Sequence, residues 1–286
     1  MNVRRLLAMI GIAAGLLTLA SCVERKEVGT LNADGSGKAV VDVLVASPGP
    51  DVVAFGRTYA EQMIQHTQGA AAWNDFTIEA AADGRAHIRA TVYFADVSKF
   101  RLDRPFQTMW DKNADGTYTF KMQKEQAASQ PASPQMTDEQ VAQAIATARA
   151  NYKQQQPAMQ LLLNNLKLEM TFELPGEVTA TSIFEKTGSD QVTLKVDGKQ
   201  VMAAMDKIMG DEKLLAGAIK NGTTPRESDE LLMENLFGKK GAVSATVAGR
   251  VGTLFDYKSE AAAAKAGQAA AFAKAGIGAA ATEAGK

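Results

Sequence analysis

The sequence predicts an α+β fold, with a mainly antiparallel sheet, helices packed on one face, a helical insertion and an Ala-rich C-terminal tail. Three observations carry this. Leu166–Leu174 alternates strictly, with Leu166, Leu168, Met170, Phe172 and Leu174 on one side and Lys167, Glu169, Thr171 and Glu173 on the other. Asp-Gly turns at Asp34-Gly35, Asp83-Gly84 and Asp115-Gly116 punctuate strand-like runs. Helical spacing of apolar residues recurs between them. Hydrophobic residues make up 46% of the 286 and charged residues 22%, the balance of a folded chain.

The elements follow in order. Val28–Ala33 and Lys38–Ala46 read as a hairpin closed by Asn32-Ala33-Asp34-Gly35-Ser36-Gly37. Asp51 starts a helix expected to reach about Ala72, with Val52, Phe55, Tyr59 and Met63 on its apolar line. Phe76–Ala81 and Ala86–Ala95 form a second hairpin, in which His87, Arg89, Thr91 and Tyr93 share the polar face. Thr117–Gln123 is a further strand. A Gln-, Ala-, Ser- and Pro-rich connection, Lys124–Met136, leads to a helix that starts in a capping box at Thr137 and ends near Gln156. A separate short helix covers Pro157–Asn165.

Pro175-Gly176 is expected to turn Leu166–Leu174 into Val178–Glu185, followed by Gln191–Val196. Three short helices then cover about Lys199–Met209, Asp211–Lys220 and Pro225–Phe237; the last has Thr224 as N-cap, Pro225 at its first position and Gly238 past its end. Ala242–Ala248 and Val251–Tyr257 suit a terminal hairpin. Beyond it, glycines at 267, 276, 278 and 285 should leave the Ala-rich tail frayed and mobile, with a docking helix for an envelope partner as the alternative. The expected organisation is 1–21 signal peptide, 22–123 first part of the α+β domain, 124–165 linker and helical insertion, 166–257 second part, and 258–286 tail.

The N-terminus carries the strongest motif. Arg4 and Arg5 precede an apolar run, Leu6–Ala20, that is too short for a bilayer span of about 20 residues and has the length of a signal-peptide core. It ends in Leu19-Ala20-Ser21-Cys22, which resembles the lipobox of bacterial lipoproteins. The resemblance implies cleavage between Ser21 and Cys22, a diacylglycerol on the Cys22 thiol, and a further acyl chain such as palmitate on the new amine. Cys22 is the chain's one cysteine, which excludes internal disulfides and thiolate zinc clusters. Two or three acyl chains anchor far more firmly than one. Val23, rather than Asp, after the cysteine implies the outer membrane, facing the periplasm, if the organism is a diderm.

A second resemblance rests on Leu31-Asn32-Ala33-Asp34-Gly35-Ser36-Gly37 following the lipobox. It rests also on the pairing of Leu174-Pro175-Gly176-Glu177-Val178 with Val192-Thr193-Leu194-Lys195-Val196-Asp197. These stretches are similar to the LppM-type lipoprotein domain, a small α+β module linked to binding envelope lipids. The family's Asn-Gly after the Pro-Gly turn is absent here, and a large helical region is added.

Chemical motifs are sparse. Lys plus Arg number 31 against 32 for Asp plus Glu, so no bulk charge favours nucleic acid. Asp111, Asn113 and Asp115, with Gly116, match the first half of a calcium loop. Position 12 is Met122 instead of Glu, and a hairpin turn is the preferred reading. His66 is expected at the helix–sheet boundary. His87 shows no Ser, Cys or carboxylate spaced as a relay. Met202, Met205 and Met209 line one helix face, which suits an adaptable ligand groove or, more commonly, plain core. No cofactor is expected.

The sequence reading is therefore a non-catalytic envelope lipoprotein that binds a lipid or other hydrophobic ligand. The alternative is a structural or assembly factor for an envelope protein partner, with a hydrolase ranked below both.

Overall fold

The computed structural model describes residues 23–102, 106–124, 136–220, 225–239, 241–249 and 252–278. Two compact units emerge: one joins Val23–Glu125, Leu168–Lys195 and Ala242–Lys286, the other Gln126–Lys167 and Val196–Gly241.

In the first unit, β1 (Val23–Leu31) and β2 (Gly37–Ala46) pair antiparallel from Val23↔Val45 to Leu31↔Gly37. β1 starts five residues earlier than the apolar pattern predicts, because two inward positions are Arg25 and Glu27, both buried. Gly35, at φ +85, closes the hairpin turn. Helix α1 (Val52–His66) is capped by Asp51, whose carboxylate accepts the Ala54 amide at 2.9 Å. It stops at His66 instead of near Ala72. The Thr67 amide closes on the Met63 and Ile64 carbonyls, and Gly69, at φ +71, redirects the chain. Ala70–Ala72 therefore open β3 (Ala70–Ala80), which pairs with β4 (Arg85–Phe94) through two irregularities.

The remaining strands are β5 (Phe106–Lys112), β6 (Tyr118–Lys124), β7 (Lys167–Glu173), β8 (Glu177–Thr181), β9 (Glu185–Lys186), β10 (Gln191–Asp197) and β11 (Val243–Ala248). They build two sheets, β3-β4-β2-β1-β7-β10-β9 and β5-β6-β11-β8. The α+β class and the largely antiparallel pairing stand; the single sheet does not. The Pro-Gly turn after β7 carries the chain into the smaller sheet, where β8 pairs with β11. The Val178–Glu185 strand is thereby split. β5 went unread because its seven residues do not alternate cleanly.

The expected hairpin partner of β11 is no strand over 252–256; that stretch is irregular and tied down by Asn32. Residues 250 and 251 lie outside the described part of the chain.

Phe120, Phe172 and Phe184 join the two sheets, with Phe120 ring centroids 4.7 Å from Phe172 and 5.8 Å from Phe184. On the larger sheet's inner face Val41, Val43, Ile88 and Val92 are fully buried. Gly56 lets α1 sit close: a Cβ there would lie 2.9 Å from Ile78 and 3.0 Å from Ala86.

The Ala-rich tail is an ordered helix up to Ala275, not a frayed segment. It packs on β3 and β4 and comes after the four helices of the second unit in the chain. Those are α2 (Asp138–Leu163), α3 (Gly198–Gly210), α4 (Glu212–Lys220) and α5 (Pro225–Phe237); the tail helix is α6 (Tyr257–Ala275). Tyr93 donates to Glu260 at 3.3 Å, Lys38 pairs with the same carboxylate at 2.8 Å, and the Phe76 and Phe272 rings meet edge-on at 5.2 Å. The Trp73 amide, on the edge strand β3, donates to Gln268 at 3.0 Å, so α6 covers an edge that could otherwise recruit another strand. Gly276, at φ +70, ends the helix. Packing of Ala264, Phe272 and Ala275 outweighs the propensity cost of Gly267.

In the second unit, α2 runs through Pro157 as one helix, where two had been expected. Pro157 and Lys153 are both exposed, so the Lys153 carbonyl that loses its helical donor faces solvent. The capping box predicted at Thr137 is present, with Gln140 as its partner. The Thr224 N-cap and the 125–135 part of the connection fall outside the described residues.

Candidate functional site

Two places on the first unit concentrate polar chemistry. The first lies between the sheets. The inward face of β1 reads Val23, Arg25, Glu27, Gly29, Leu31, so an ion pair sits where a sheet core normally carries aliphatic residues. Arg25 Nε donates to Glu27 Oε1 at 2.8 Å, and its Nη2 donates to the Leu102 carbonyl at 3.3 Å. Glu27 borders a cavity of about 20 Å³, which Phe94, Phe100, Thr108, Phe120 and Phe172 close in. Two glycines let the rings enter. A Cβ on Gly29 would lie 2.9 Å from Phe172, and one on Gly37 would lie 2.4 Å from Phe94. Such a space holds about one water molecule, whereas pockets for drug-sized ligands run to about 300–1,000 Å³.

The second lies on the outer face of the larger sheet. His87 Nε2 is 2.9 Å from Asp42, and its Nδ1 is 3.3 Å from Glu79. Arg89 reaches the other Asp42 oxygen at 3.2 Å. Arg85 bridges Asp83 at 2.8 Å and Glu24 at 3.5 Å. The Arg85 amide and guanidinium hold the Asp83 carboxyl below the usual carboxylate range. These groups come from four strands and the β3–β4 turn, and the cross-strand pairs form only once the register is known: Asp42 opposite Arg89, and Glu79 opposite His87. Sequence reasoning noted His87 and Arg89 together but missed both carboxylates. Alternation in β2 does place Asp42 on its polar side. The arrangement is a set of cross-strand ion pairs, each worth little where exposed. Both imidazole nitrogens are engaged by carboxylates, which leaves neither facing a nucleophile.

The calcium-loop residues build a hairpin turn. Asn113 Nδ2 donates to the Thr117 and Thr119 hydroxyls at 2.8 and 2.9 Å. The Asp115 carboxylate accepts the Thr117 hydroxyl at 2.7 Å and its amide at 3.0 Å, and these bonds lower its pKa. Asp111 leans to Lys121 at 3.5 Å. Among the described residues no group of three or more His, Cys, Asp or Glu is placed to hold a metal ion.

Met202, Met205 and Met209 are buried and form core, so they line no open groove. Neighbouring polar contacts lock this packing: Tyr152 donates to Asp206 at 2.8 Å and Arg149 to the Met209 carbonyl at 2.8 Å. His66 is exposed, not packed at the sheet boundary, because α1 buries Gly56, Tyr59, Ala60, Met63 and Ile64 and turns His66 outward. The signal peptide, Ser21 and Cys22 lie outside the described residues. No helix among the described residues is long and apolar enough to cross a membrane.

No family model and no curated protein matches the chain. Among solved structures it is similar to the NMR structure of the folded domain of the Mycobacterium tuberculosis LppM protein. The two share 9% identity at a TM-score of 0.32, over 82% of this chain and 93% of that one. At that TM-score no property of the neighbour transfers to this chain.

Proposed function

We propose that this chain is a lipoprotein of a bacterial cell envelope, anchored through Cys22, whose folded body acts without catalysis by binding a protein partner. The observation that carries the choice of partner is the filled space between the sheets. The cavity of about 20 Å³ beside Glu27 gives no room to an acyl chain, which favours an outer surface as the place of binding. The Met face that would have made a lipid groove is buried as well. The non-catalytic reading is supported by His87, whose ring is held between Asp42 and Glu79. The anchor rests on the Leu19-Ala20-Ser21-Cys22 motif and on the single cysteine occupying its last position. Val23 after it favours the outer membrane in a diderm.

Two measurements test this. Replacing Cys22→Ser should release the protein from the membrane fraction and remove the acyl mass; retention with unchanged mass would sink the anchor. Native mass spectrometry of residues 23–286, exported to a periplasm, should show a bare polypeptide. A bound mass that dissociates into lipid would overturn the partner reading in favour of lipid carriage, and in-cell crosslinking should instead recover an envelope protein.

A further inference from the structure

Resting on the anchored-lipoprotein reading above, we infer that the Ser21–Cys22 bond is cut before β1 joins the sheet, and that the folded body is not a substrate for the cut. In that step water hydrolyses the peptide bond, leaving a carboxyl on Ser21 and an amine on Cys22. A peptidase binds its substrate as an extended chain, through main-chain groups on both sides of the bond it cuts. The residues just after Cys22 must therefore be free of other partners when the enzyme engages. In the folded chain they are not. β1 begins at Val23, the residue joined directly to Cys22, and Val23 is 3% exposed and paired with Val45. β1 also lies inside the seven-stranded sheet, between β2 and β7, so it cannot be lifted away as an edge strand can. Arg25 fastens it further by donating to the Leu102 carbonyl. Freeing Val23 takes opening of the sheet itself, one of the rarer fluctuations of a folded protein.

The order of the strands leaves time for the cut. β2 follows β1 at once, but a lone two-stranded hairpin is marginal in water. The other neighbour, β7, ends at Glu173, 150 residues after Val23. At about 5–20 residues per second of synthesis, β1 waits about 7–30 s for it. Composition suits the wait. Glu24-Arg25-Lys26-Glu27 puts four charged residues in succession soon after the apolar run over 6–20. Charge is strongly disfavoured in hydrocarbon, so an unpaired β1 stays in water and holds the scissile bond at the membrane boundary. The apolar residues that a sheet core normally carries at positions 25 and 27 would instead extend the run toward bilayer length. The buried Arg25–Glu27 pair, 2.8 Å apart, is what that requirement leaves once β1 has entered the core.

The test uses the full-length acylated precursor, purified in detergent from bacterial cells whose lipoprotein peptidase is inhibited, then freed of inhibitor and mixed with membranes that hold the active enzyme. Mass spectrometry follows the loss of residues 1–21 from three substrates. The first is the precursor folded to a cooperative urea transition, and the second is the same precursor diluted from urea at the moment of mixing. The third is folded precursor with about eight Gly and Ser residues inserted between Cys22 and Val23, a reach of about 26 Å. The insertion precedes β1, so its urea transition should match the parent's. The folded parent should be cut at least about tenfold more slowly than either of the others. A folded parent cut as fast as the inserted precursor would overturn the inference. So would an inserted precursor as slow as the parent beside a fast diluted chain, since the block would then lie elsewhere than at β1. A precursor without the acyl mass, or three uncut substrates beside a control lipoprotein that is cut, would bring down the anchor reading, and this inference with it.

Discussion

The carboxamide of Asn32 grips the backbone of Phe255 from both sides. Its Oδ1 accepts the Leu254 and Phe255 amides at 2.8 and 3.4 Å, and its Nδ2 donates to the Phe255 carbonyl at 3.2 Å. Asn32 is 2% exposed, so these groups have little access to water if the side chain is removed. Truncation would leave buried backbone groups unpaired at about 1–3 kcal/mol each, partly relieved by local relaxation. Asn32→Ala should cost about 2–4 kcal/mol overall in urea unfolding. Its first effect should be faster amide exchange in α6, which follows directly from the clamped segment. Exchange that rises uniformly over both sheets instead would show that Asn32 is not the clamp.

The buried pair on β1 makes a different prediction. Removing one partner of a desolvated ion pair takes the compensating charge from the other, at about 3–5 kcal/mol, while replacing both by apolar residues is often neutral or stabilising. Arg25→Met and Glu27→Leu should each destabilise strongly, and the double variant should recover most of the loss. Simple additivity of the two singles would show that Arg25 and Glu27 are held by their other surroundings and not by each other.

The same pair explains where the sequence stopped being legible. β7 announced itself because its inward residues are all apolar, and Thr137, Gly238 and the Asp-Gly turns marked their boundaries by backbone chemistry that acts locally. β1 hid its first half because Arg25 and Glu27 take core positions. α1 was drawn too long because alanines 70–72 favour helix, and Gly69 at positive φ overrides them. The tail was misjudged for the complementary reason: isolated propensity cannot register that Phe272 meets Phe76 across almost two hundred residues of chain. Membership of one sheet or the other, and the assembly of the Asp42–His87–Glu79 cluster, depend on strand register, which single-strand periodicity does not contain.

Alkaline pH should loosen the α6 contact. Burial, and then the Glu260 carboxylate, push the Tyr93 phenol up to about 12 from its ordinary value of 10.0. Below pH 10 folded and unfolded chains both keep the proton, so this contribution to stability is fully present. Between pH 10 and about 12 the unfolded chain releases it first, and stability falls across that window. Tyr93→Phe should flatten this part of the profile in urea midpoints, although Tyr152 and Tyr257 also titrate high and keep some slope. A Tyr93→Phe variant with the parent's full alkaline slope would remove Tyr93 from the account.

Two glycines should answer oppositely to alanine, because one is pressed by backbone and the other is not. A Cβ at Gly198, the first residue of α3, would fall 1.8 Å from the Leu163 carbonyl oxygen and 2.6 Å from its carbon. A carbonyl in the last turn of α2 cannot swing aside as a flexible side chain can, so Gly198→Ala must separate α2 from α3 or unwind one of them. Overpacking of this kind costs about 1–3 kcal/mol, and more where backbone has to move. Gly267 sits inside α6 with open space around its Cβ position. There alanine restricts the unfolded chain and suits the helix, so Gly267→Ala should stabilise by about 0.5–1 kcal/mol. Thermal and urea unfolding of the two variants, followed by far-UV circular dichroism, separates the cases. A neutral Gly267→Ala would mean that residues 257–275 are not helical in the folded protein, and a neutral Gly198→Ala would mean that α2 and α3 do not approach as closely as the Gly198–Leu163 contact requires.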